Sequence, residues 1–267
     1  MAESDALPPR IRRPGLAPAL VFAAFMALIA ASLSGSGLTL HNLIGDIGNL
    51  GVVIDDMLPP ETDRLHPMLW YAWVTVQMAV VGTVLGVLVS LPLSFFASAR
   101  HTPHASIHAA TRGLIAFFRS VPDLVWALLF IPWVGLGPAA GTLAIAVDTV
   151  GFCGRFFAEH LEEGEQGPAE ALRCIGAGRV DVLCAATIPA ALPSMTNTTL
   201  YAFEKAIRSS MILGLVGAGG IGVELTVAMD MFRYGQASTI ILIIFCIVLV
   251  VEQSSSWIRQ RLLRISE

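Results

Sequence analysis

Charged residues inside long apolar segments are the first candidates for chemistry in this sequence. A charged side chain at the centre of a membrane helix costs about 2.5 to 3.5 kcal/mol to insert, so such residues are usually retained for a function. The densest group combines cations and hydroxyls that could donate hydrogen bonds to an oxyanion. It consists of Glu204, Lys205, Arg208, Ser209 and Ser210. The alternative interpretation is a helix end whose basic side chains extend to the membrane surface.

Arg119 and Asp123 form a second candidate pair. On a continuous helix residues four apart share a face, so these two could neutralise each other or line an anion pathway. Pro122 lies between them and would loosen the backbone. Asp148 also falls in an apolar segment, but its carboxylate would repel an anion. We therefore expect Asp148 to make a polar contact between helices.

A glycine-rich stretch, Gly-Ala-Gly-Gly-Ile-Gly, satisfies the pattern of a dinucleotide-binding turn. No β-α-β pattern surrounds it, and the acidic residue expected about 20 positions later would fall in an apolar run. We reject nucleotide binding and predict that glycines here allow helices to approach closely, or break a helix beside a cavity. These glycines are Gly214, Gly217, Gly219, Gly220 and Gly222.

The composition indicates a membrane protein. Of 267 residues 55% are hydrophobic and 13% charged, whereas soluble domains carry about 25% charged residues. The net charge of -4 leaves no basic face for a nucleic acid. The four cysteines lack the paired spacing of metal ligands. His104 and His108 are four apart, but without a nearby third ligand we predict neither a metal site nor catalytic residues.

Six segments carry the roughly 20 apolar residues that a helix needs to cross a bilayer core of about 30 Å. They predict an all-α membrane protein with about six transmembrane helices. The segments are Leu16–Ser34, Met68–Ala97, Leu114–Val134, Pro138–Phe157, Met195–Gly220 and Ala237–Val251.

The arginines predict how these spans are oriented, because positive residues are retained on the cytoplasmic side. Most lie before span one, between spans two and three, around the connection between spans four and five, and after span six. We therefore predict cytoplasmic termini, with residues 1–15 as a tail, 16–267 as the membrane domain and 35–67 as an external loop. Apolar residues at helical spacing from Leu43 to Leu58 predict either an interfacial helix or a loop packed on the outer helices.

The connection between spans four and five, residues 158–194, is far longer than the 2 to 8 residues typical of helical bundles. It contains Glu170-Ala171-Leu172, then Gly176, then Ile188-Pro189. This spacing resembles the EAA motif of bacterial ABC importer permeases, Glu-Ala-Ala followed by Gly and later by Ile-x-Leu-Pro. Leu172, Ala186 and Ile188 are mild departures from that motif.

The resemblance implies a type I ABC importer permease of the bacterial inner membrane, with a cytoplasmic loop that docks in a cleft of a separate ATPase. In such a loop Ala171 and Leu172 would offer a small apolar face, Gly176 a turn with positive φ, and Pro189 the end of the second helix. The implied partners are a second permease copy, two ATP-binding subunits, an extracytoplasmic substrate-binding protein and membrane lipid. ATP and Mg²⁺ would be bound by the ATPase, and this chain would hold no cofactor.

Further segments resemble the phosphonate branch of these permeases and imply a phosphonate, phosphite or phosphate as substrate. They are Phe118–Ala127, Val134–Pro138, Ile212–Gly222 and Met231–Ala237. Methionine importer permeases have a related glycine run, so methionine or another small solute is an alternative. An ion-coupled secondary transporter would belong to another class, and it calls for an internal inverted repeat that we do not find.

Overall fold

The computed structural model describes residues 15–37, 45, 47–164 and 167–265, and all regular secondary structure within them is helical. The predicted all-α class is therefore confirmed. A π-helical turn, Leu183–Thr187, joins the eighth helix to the ninth. In chain order the helices are α1 (Leu16–Gly35), α2 (Ile47–Asp56), α3 (Leu65–Ala97), α4 (Ala105–Ser120), α5 (Asp123–Val134), α6 (Pro138–Glu163), α7 (Gly167–Cys174), α8 (Arg179–Val182), α9 (Ile188–Gly214), α10 (Ile221–Asp230) and α11 (Tyr234–Ile265).

The first of two compact units, residues 1–56, contains α1 and α2. Helix α1 has 20 residues, a mean hydropathy of 2.3 and no buried side chain, as expected of a helix surrounded by lipid. Helix α2 falls in the predicted external loop, and its apolar Ile47, Leu50 and Ile54 are exposed at helical spacing. Its place on the membrane surface stays a prediction, and Leu43 and Ile44 lie outside the described residues.

The second unit, residues 57–267, is built around the packing of α3 on α6. Glycines on α3 allow this close approach. A Cβ added at Gly82 would lie 2.6 Å from Cγ2 of Ile145, and one added at Gly86 would collide with Thr149. Because lipid is as apolar as the side chains, such close van der Waals packing is what holds membrane helices together.

The predicted third span, Leu114–Val134, is wrong as a single helix. Helices α4 and α5 meet at a bend of 90°. Val121 is extended there, with φ -91° and ψ 122°, because a residue that precedes proline disfavours the α conformation, and Pro122 begins the next helix. The rings of Phe117 and Trp126 pack edge to face across the bend, with centroids 5.8 Å apart.

Four helices of the described chain are long and apolar enough to cross a membrane, namely α1, α3, α6 and α11, and the bent pair α4–α5 would add a fifth. Helix α9 has 27 residues but is not among them, because Glu204, Lys205 and Arg208 interrupt it. The predicted span five, Met195–Gly220, is not one helix, since α9 starts at Ile188 and ends at Gly214.

A tight glycine turn ends α9 and reverses the chain into α10. Three glycines here have positive φ, a conformation that other residues rarely adopt. They are Gly217, Gly219 and Gly220. Gly222 then packs on α9, where an added Cβ would collide with the carbonyl oxygen of Met211, and a Cβ at Gly214 would lie 2.6 Å from Cα of Gly222. The glycines thus set both the turn and the contact between the two helices.

We expect Gly222→Ala to destabilise the fold by more than about 3 kcal/mol, because the added methyl group overlaps backbone that cannot move aside. Gly113→Ala is the matched control. That glycine lies inside α4 with no atom within 4 Å of an added Cβ, and alanine should stabilise the helix there by up to about 1 kcal/mol. Thermal unfolding in detergent measures both variants. Equal unfolding temperatures would contradict the tight contact.

The loops of the second unit meet at two opposite ends. At one end the Glu61 amide donates to the Gly235 carbonyl at 3.0 Å, and the Gly137 amide to Gly217 at 3.1 Å. At the other end the Ala99 amide donates to Oε1 of Glu162 at 2.7 Å. Loops that the sequence assigns to the outer side therefore contact one another, and so do loops assigned to the inner side.

Candidate functional site

The connection between α6 and α9 contains two short helices, α7 and α8. Helix α7 ends in a Schellman motif, in which the Ala177 amide donates to the Leu172 carbonyl and the Gly176 amide to the Arg173 carbonyl, both at 3.0 Å. Gly176 has φ 87°, so the turn that the sequence predicts there is present. Such a hydrogen-bonded glycine turn fixes the angle between the two helices.

This connection also has a small apolar core of its own. Ala169, Val182 and Ala186 are buried together, and Leu172 and Ala177 pack against them. The core ties α7 to α8 and to the π-helical turn that leads into α9. The connection is therefore packed against the segment that begins α9.

The motif predicted that Pro189 ends the second helix, and this prediction is wrong. Pro189 lies in the first turn of α9, and the backbone remains helical without a break from residue 179 to residue 214. Proline inside an α-helix removes one hydrogen bond and crowds the carbonyl four residues earlier. The wider π-helical turn directly before it, closed by the Ile188 amide on the Leu183 carbonyl, accommodates both effects.

The residues predicted to contact an ATPase differ in their exposure. Glu170, Ala171, Gly176 and Pro189 are exposed, whereas Leu172 and Ile188 are half-buried. Leu172 contributes to the small core of the connection, so of this group it is chiefly a structural residue.

The sequence analysis did not identify two large apolar residues at the tip of this connection, the turn between α7 and α8. Ile175 and Val180 are 79% and 71% exposed and flank the turn at Gly176. Exposed apolar side chains on a polar loop are candidates for contact with another protein. Their position on either side of the motif glycine was the signal that could have identified them.

Lys205 and Asp148 form an ion pair between α9 and α6, with Nζ 2.8 and 2.7 Å from the two carboxylate oxygens. This is the polar helix contact expected for Asp148. The Lys205 ammonium also lies 5.5 Å from the ring centre of Phe152. A charge inside the membrane is tolerated when it is paired in this way.

The predicted cluster from Glu204 to Ser210 does not converge on one point. Glu204 is buried and turns towards α11, where Nη1 of Arg259 lies 2.7 Å from its Oε1. Ser209 and Ser210 are buried, and the Ser210 hydroxyl donates to the Ile207 carbonyl. Arg208 is exposed and has no acidic partner within 4 Å among the described residues.

Arg119 and Asp123 do not share a helix face, because the bend between α4 and α5 separates them. Oδ1 of Asp123 instead accepts the Leu124 amide at 2.9 Å in the first turn of α5. The Arg119 backbone packs on α6, where a Cβ added at Gly151 would lie 2.9 Å from the Arg119 nitrogen. Arg119 is thus held beside the middle of α6.

A cavity of about 510 Å³ between α4 and α6 is lined by three arginines, Arg112, Arg119 and Arg155. Arg155 pairs with Glu159 at 2.8 Å and Arg112 with Glu162 at 3.1 Å, while Arg119 has no acidic partner among the described residues. The cavity therefore keeps an excess of positive charge. Guanidinium groups bind carboxylates and phosphates through paired N–H donors, so the cavity suits an oxyanion.

The cavity and the Lys205–Asp148 pair lie along one face of α6. Asp148, Phe152, Arg155 and Glu159 recur at helical spacing, with Lys205 contacting the first two. We call this face, together with Arg119, the charged groove. Arg155 was not predicted as part of a pathway. The sequence argument used it only as one of the arginines that set the orientation of the spans. Its spacing of four from Glu159 and seven from Asp148 was the available signal.

The sequence matches the family described as binding-protein-dependent transport system inner membrane component over residues 90–264. It is 35% identical to the phosphate-import permease PhnE of Mycolicibacterium smegmatis over 98% of this chain and 48% of that protein, so the chain spans about half of that relative. The phosphite transport system permease PtxC of Stutzerimonas stutzeri is 32% identical, over 82% of this chain and 79% of that one.

The fold is similar to that of a solved structure, the inward-facing MetNI methionine ABC transporter. The TM-score is 0.63 at 22% identity, covering 74% of this chain and 98% of that one. This likeness concerns the fold, and the sequence matches concern the family. The chain belongs to the binding-protein-dependent transport system inner membrane components, the multi-pass permease subunits of ABC importers.

Proposed function

We propose that this permease moves phosphonate, phosphite or phosphate across the bacterial inner membrane, as a homodimer with two ATPase subunits and an external binding protein. The similarity to phosphate and phosphite permeases supports the substrate class. The single structural observation that carries the proposal is the compact connection between α6 and α9, which presents Ile175 and Val180 at its tip. Closed two-fold symmetry is the commonest arrangement of homo-oligomers, and it supports the proposed dimer.

The proposed orientation has both termini and the connection, which we call the coupling loop, in the cytoplasm. Residues 1–15 would form the N-terminal tail, 16–267 the membrane domain, 35–67 the external loop and 158–194 the coupling loop. The contacts among inner loops and the arginines near them support this arrangement, because positive residues are retained on the cytoplasmic side.

In the proposed mechanism Ile175 and Val180 enter the cleft of the ATPase, which binds ATP and Mg²⁺. The helical backbone from residue 179 to residue 214 then carries the movement of the coupling loop into the membrane. Lys205 and Glu204 connect this long helical segment to α6 and α11 through their ion pairs. A displaced coupling loop would thus move three helices together and change which side of the charged groove is open.

Within the charged groove the oxyanion would be bound by Arg119 and Arg155 and later released to the cytoplasm. Arg119 lacks an acidic partner among the described residues, so it can bind an anion without first breaking an ion pair. Arg155 would exchange Glu159 for the anion. Asp148 is neutralised by Lys205 and so repels the anion less.

Uptake by the assembled transporter in vesicles tests the substrate class directly. Labelled methylphosphonate, phosphite, phosphate and methionine would each be supplied with the binding protein and ATP. We expect ATP-dependent uptake of at least one phosphorus oxyanion and none of methionine. Uptake of methionine alone would overturn the substrate class but leave the family assignment intact.

We expect Arg119→Gln to reduce oxyanion uptake at low substrate concentration by about tenfold, because one charged hydrogen bond contributes about 1.5 to 3 kcal/mol. Arg119→Lys should restore part of the uptake by keeping the charge. Arg261→Gln is the control, since Arg261 is exposed and its guanidinium stacks on Trp257. Full uptake by Arg119→Gln with normal assembly would rule out the proposed binding position.

A further inference from the structure

Two cavities adjoin where the coupling loop approaches the loop between α3 and α4. Their volumes are about 310 and 560 Å³, within the range of about 300 to 1,000 Å³ typical of small-molecule sites. Both are lined by Arg100 and His101 from the loop after α3 and by Arg173 from the last turn of α7. We call these three residues the basic cleft. It shares none of its residues with the charged groove.

Basic side chains from both loops line the basic cleft. Among the described residues that line the two cavities, none is aspartate or glutamate. The nearby Glu162 is already engaged, because its carboxylate accepts hydrogen bonds from Arg112 and from the Ala99 amide. Burial lowers the pKa of His101, and the positive charges of Arg173 and Arg100 lower it further. The charges of both guanidinium groups therefore reach the His101 ring.

One wall of the basic cleft is held rigidly. The Ser98 carbonyl accepts the amides of His101 and Thr102 at 3.3 and 3.1 Å, and the Thr102 hydroxyl donates to the Ser98 carbonyl at 2.6 Å. The Ser98 hydroxyl lies 3.0 Å from Nδ1 of His101. The other wall, with Arg173, belongs to the coupling loop. A ligand bound by both walls would therefore tie the coupling loop to the membrane domain.

We infer that the basic cleft binds a phosphate-type anion and thereby holds the coupling loop against the loop between α3 and α4. The residue types fit this ligand, since two guanidinium groups and an imidazole supply only N–H donors around a tetrahedral oxyanion. The effect on transport rests on the proposed coupling role of the loop, whereas the binding does not. The same chemistry is present in free phosphate and in an anionic lipid headgroup.

Hydrogen exchange of the full chain in nanodiscs tests this inference. One arm adds inorganic phosphate to nanodiscs of phosphatidylcholine, and the other replaces part of that lipid by phosphatidylglycerol without phosphate. Slower exchange of amides in both segments, 98–104 and 167–187, is the expected result. The arm in which it occurs identifies the source of the anion.

The double variant Arg100→Gln/Arg173→Gln should lose the protection, and Arg261→Gln should keep it. No protection in either arm, or equal protection in the double variant, would overturn the site. Because neither result depends on uptake, failure of the proposed substrate would be seen separately.

Discussion

Replacing Ile175 and Val180 together by aspartate is expected to reduce ATP-driven uptake at least tenfold while leaving the fold intact. The side chains are 79% and 71% exposed, so the substitution removes little contact within the permease. At a protein interface a buried apolar anchor can contribute about 2 kcal/mol, and each 1.4 kcal/mol corresponds to a factor of ten in affinity. Two carboxylates placed in an apolar cleft would add a desolvation cost.

The measurement is co-purification of the ATPase with the permease, together with uptake in vesicles. The conservative double variant Ile175→Leu/Val180→Ile is the matched control and should keep both. Thermal unfolding of the isolated aspartate variant should match that of the natural sequence. If the ATPase still binds the aspartate variant with unchanged affinity, the tip of the coupling loop is not the contact.

The second large effect is expected at Arg259. Its guanidinium pairs with the Glu204 carboxylate, and the two side chains are only 16% and 7% exposed. Removing one partner of a buried ion pair leaves the other charge without compensation and costs about 3 to 5 kcal/mol. Arg259→Gln should therefore lower the unfolding temperature and the yield of folded permease markedly. Contact of Arg259 with the Tyr201 ring, 4.3 Å away, adds to the loss.

The double variant Glu204→Gln/Arg259→Gln separates the ion pair from packing. With both charges removed no unpaired charge remains, so most of the lost stability should return. Arg261→Gln, two residues further along α11, should have little effect, because Arg261 is exposed. A double variant as unstable as Arg259→Gln would contradict an electrostatic origin and would indicate a packing role for the arginine.

The coupling loop shows how much of a site can be predicted from spacing. Gly176 was predicted to turn with positive φ, and this prediction is confirmed. Glycine has no Cβ, so it adopts the left-handed conformation after a helix without a steric penalty. Pro189 was predicted to end a helix, which is wrong. Whether a proline ends or begins a helix depends on the hydrogen bonds of the preceding turn, and here that turn is π-helical.

The charged residues show where prediction from sequence fails. Arg119 and Asp123 are four apart, yet Pro122 separates their helices by 90°, so helical spacing does not apply. Arg155 became a candidate only because it shares a cavity with Arg119. A spacing rule holds within one continuous helix, and it says nothing about a neighbour brought in by another helix.

The sequence by itself determined the features that depend on local chemistry. Apolar runs set the helices α1, α3, α6 and α11, the arginine distribution predicts their orientation, and glycines set the turns. Only the tertiary structure decided the partners of Glu204 and Lys205. These neighbours on α9 pair with Arg259 and Asp148, which are 55 and 57 residues away along the chain. Successive side chains on a helix point about 100° apart, so Glu204 and Lys205 face different neighbouring helices. The packing of those helices decides which charged residue each one meets.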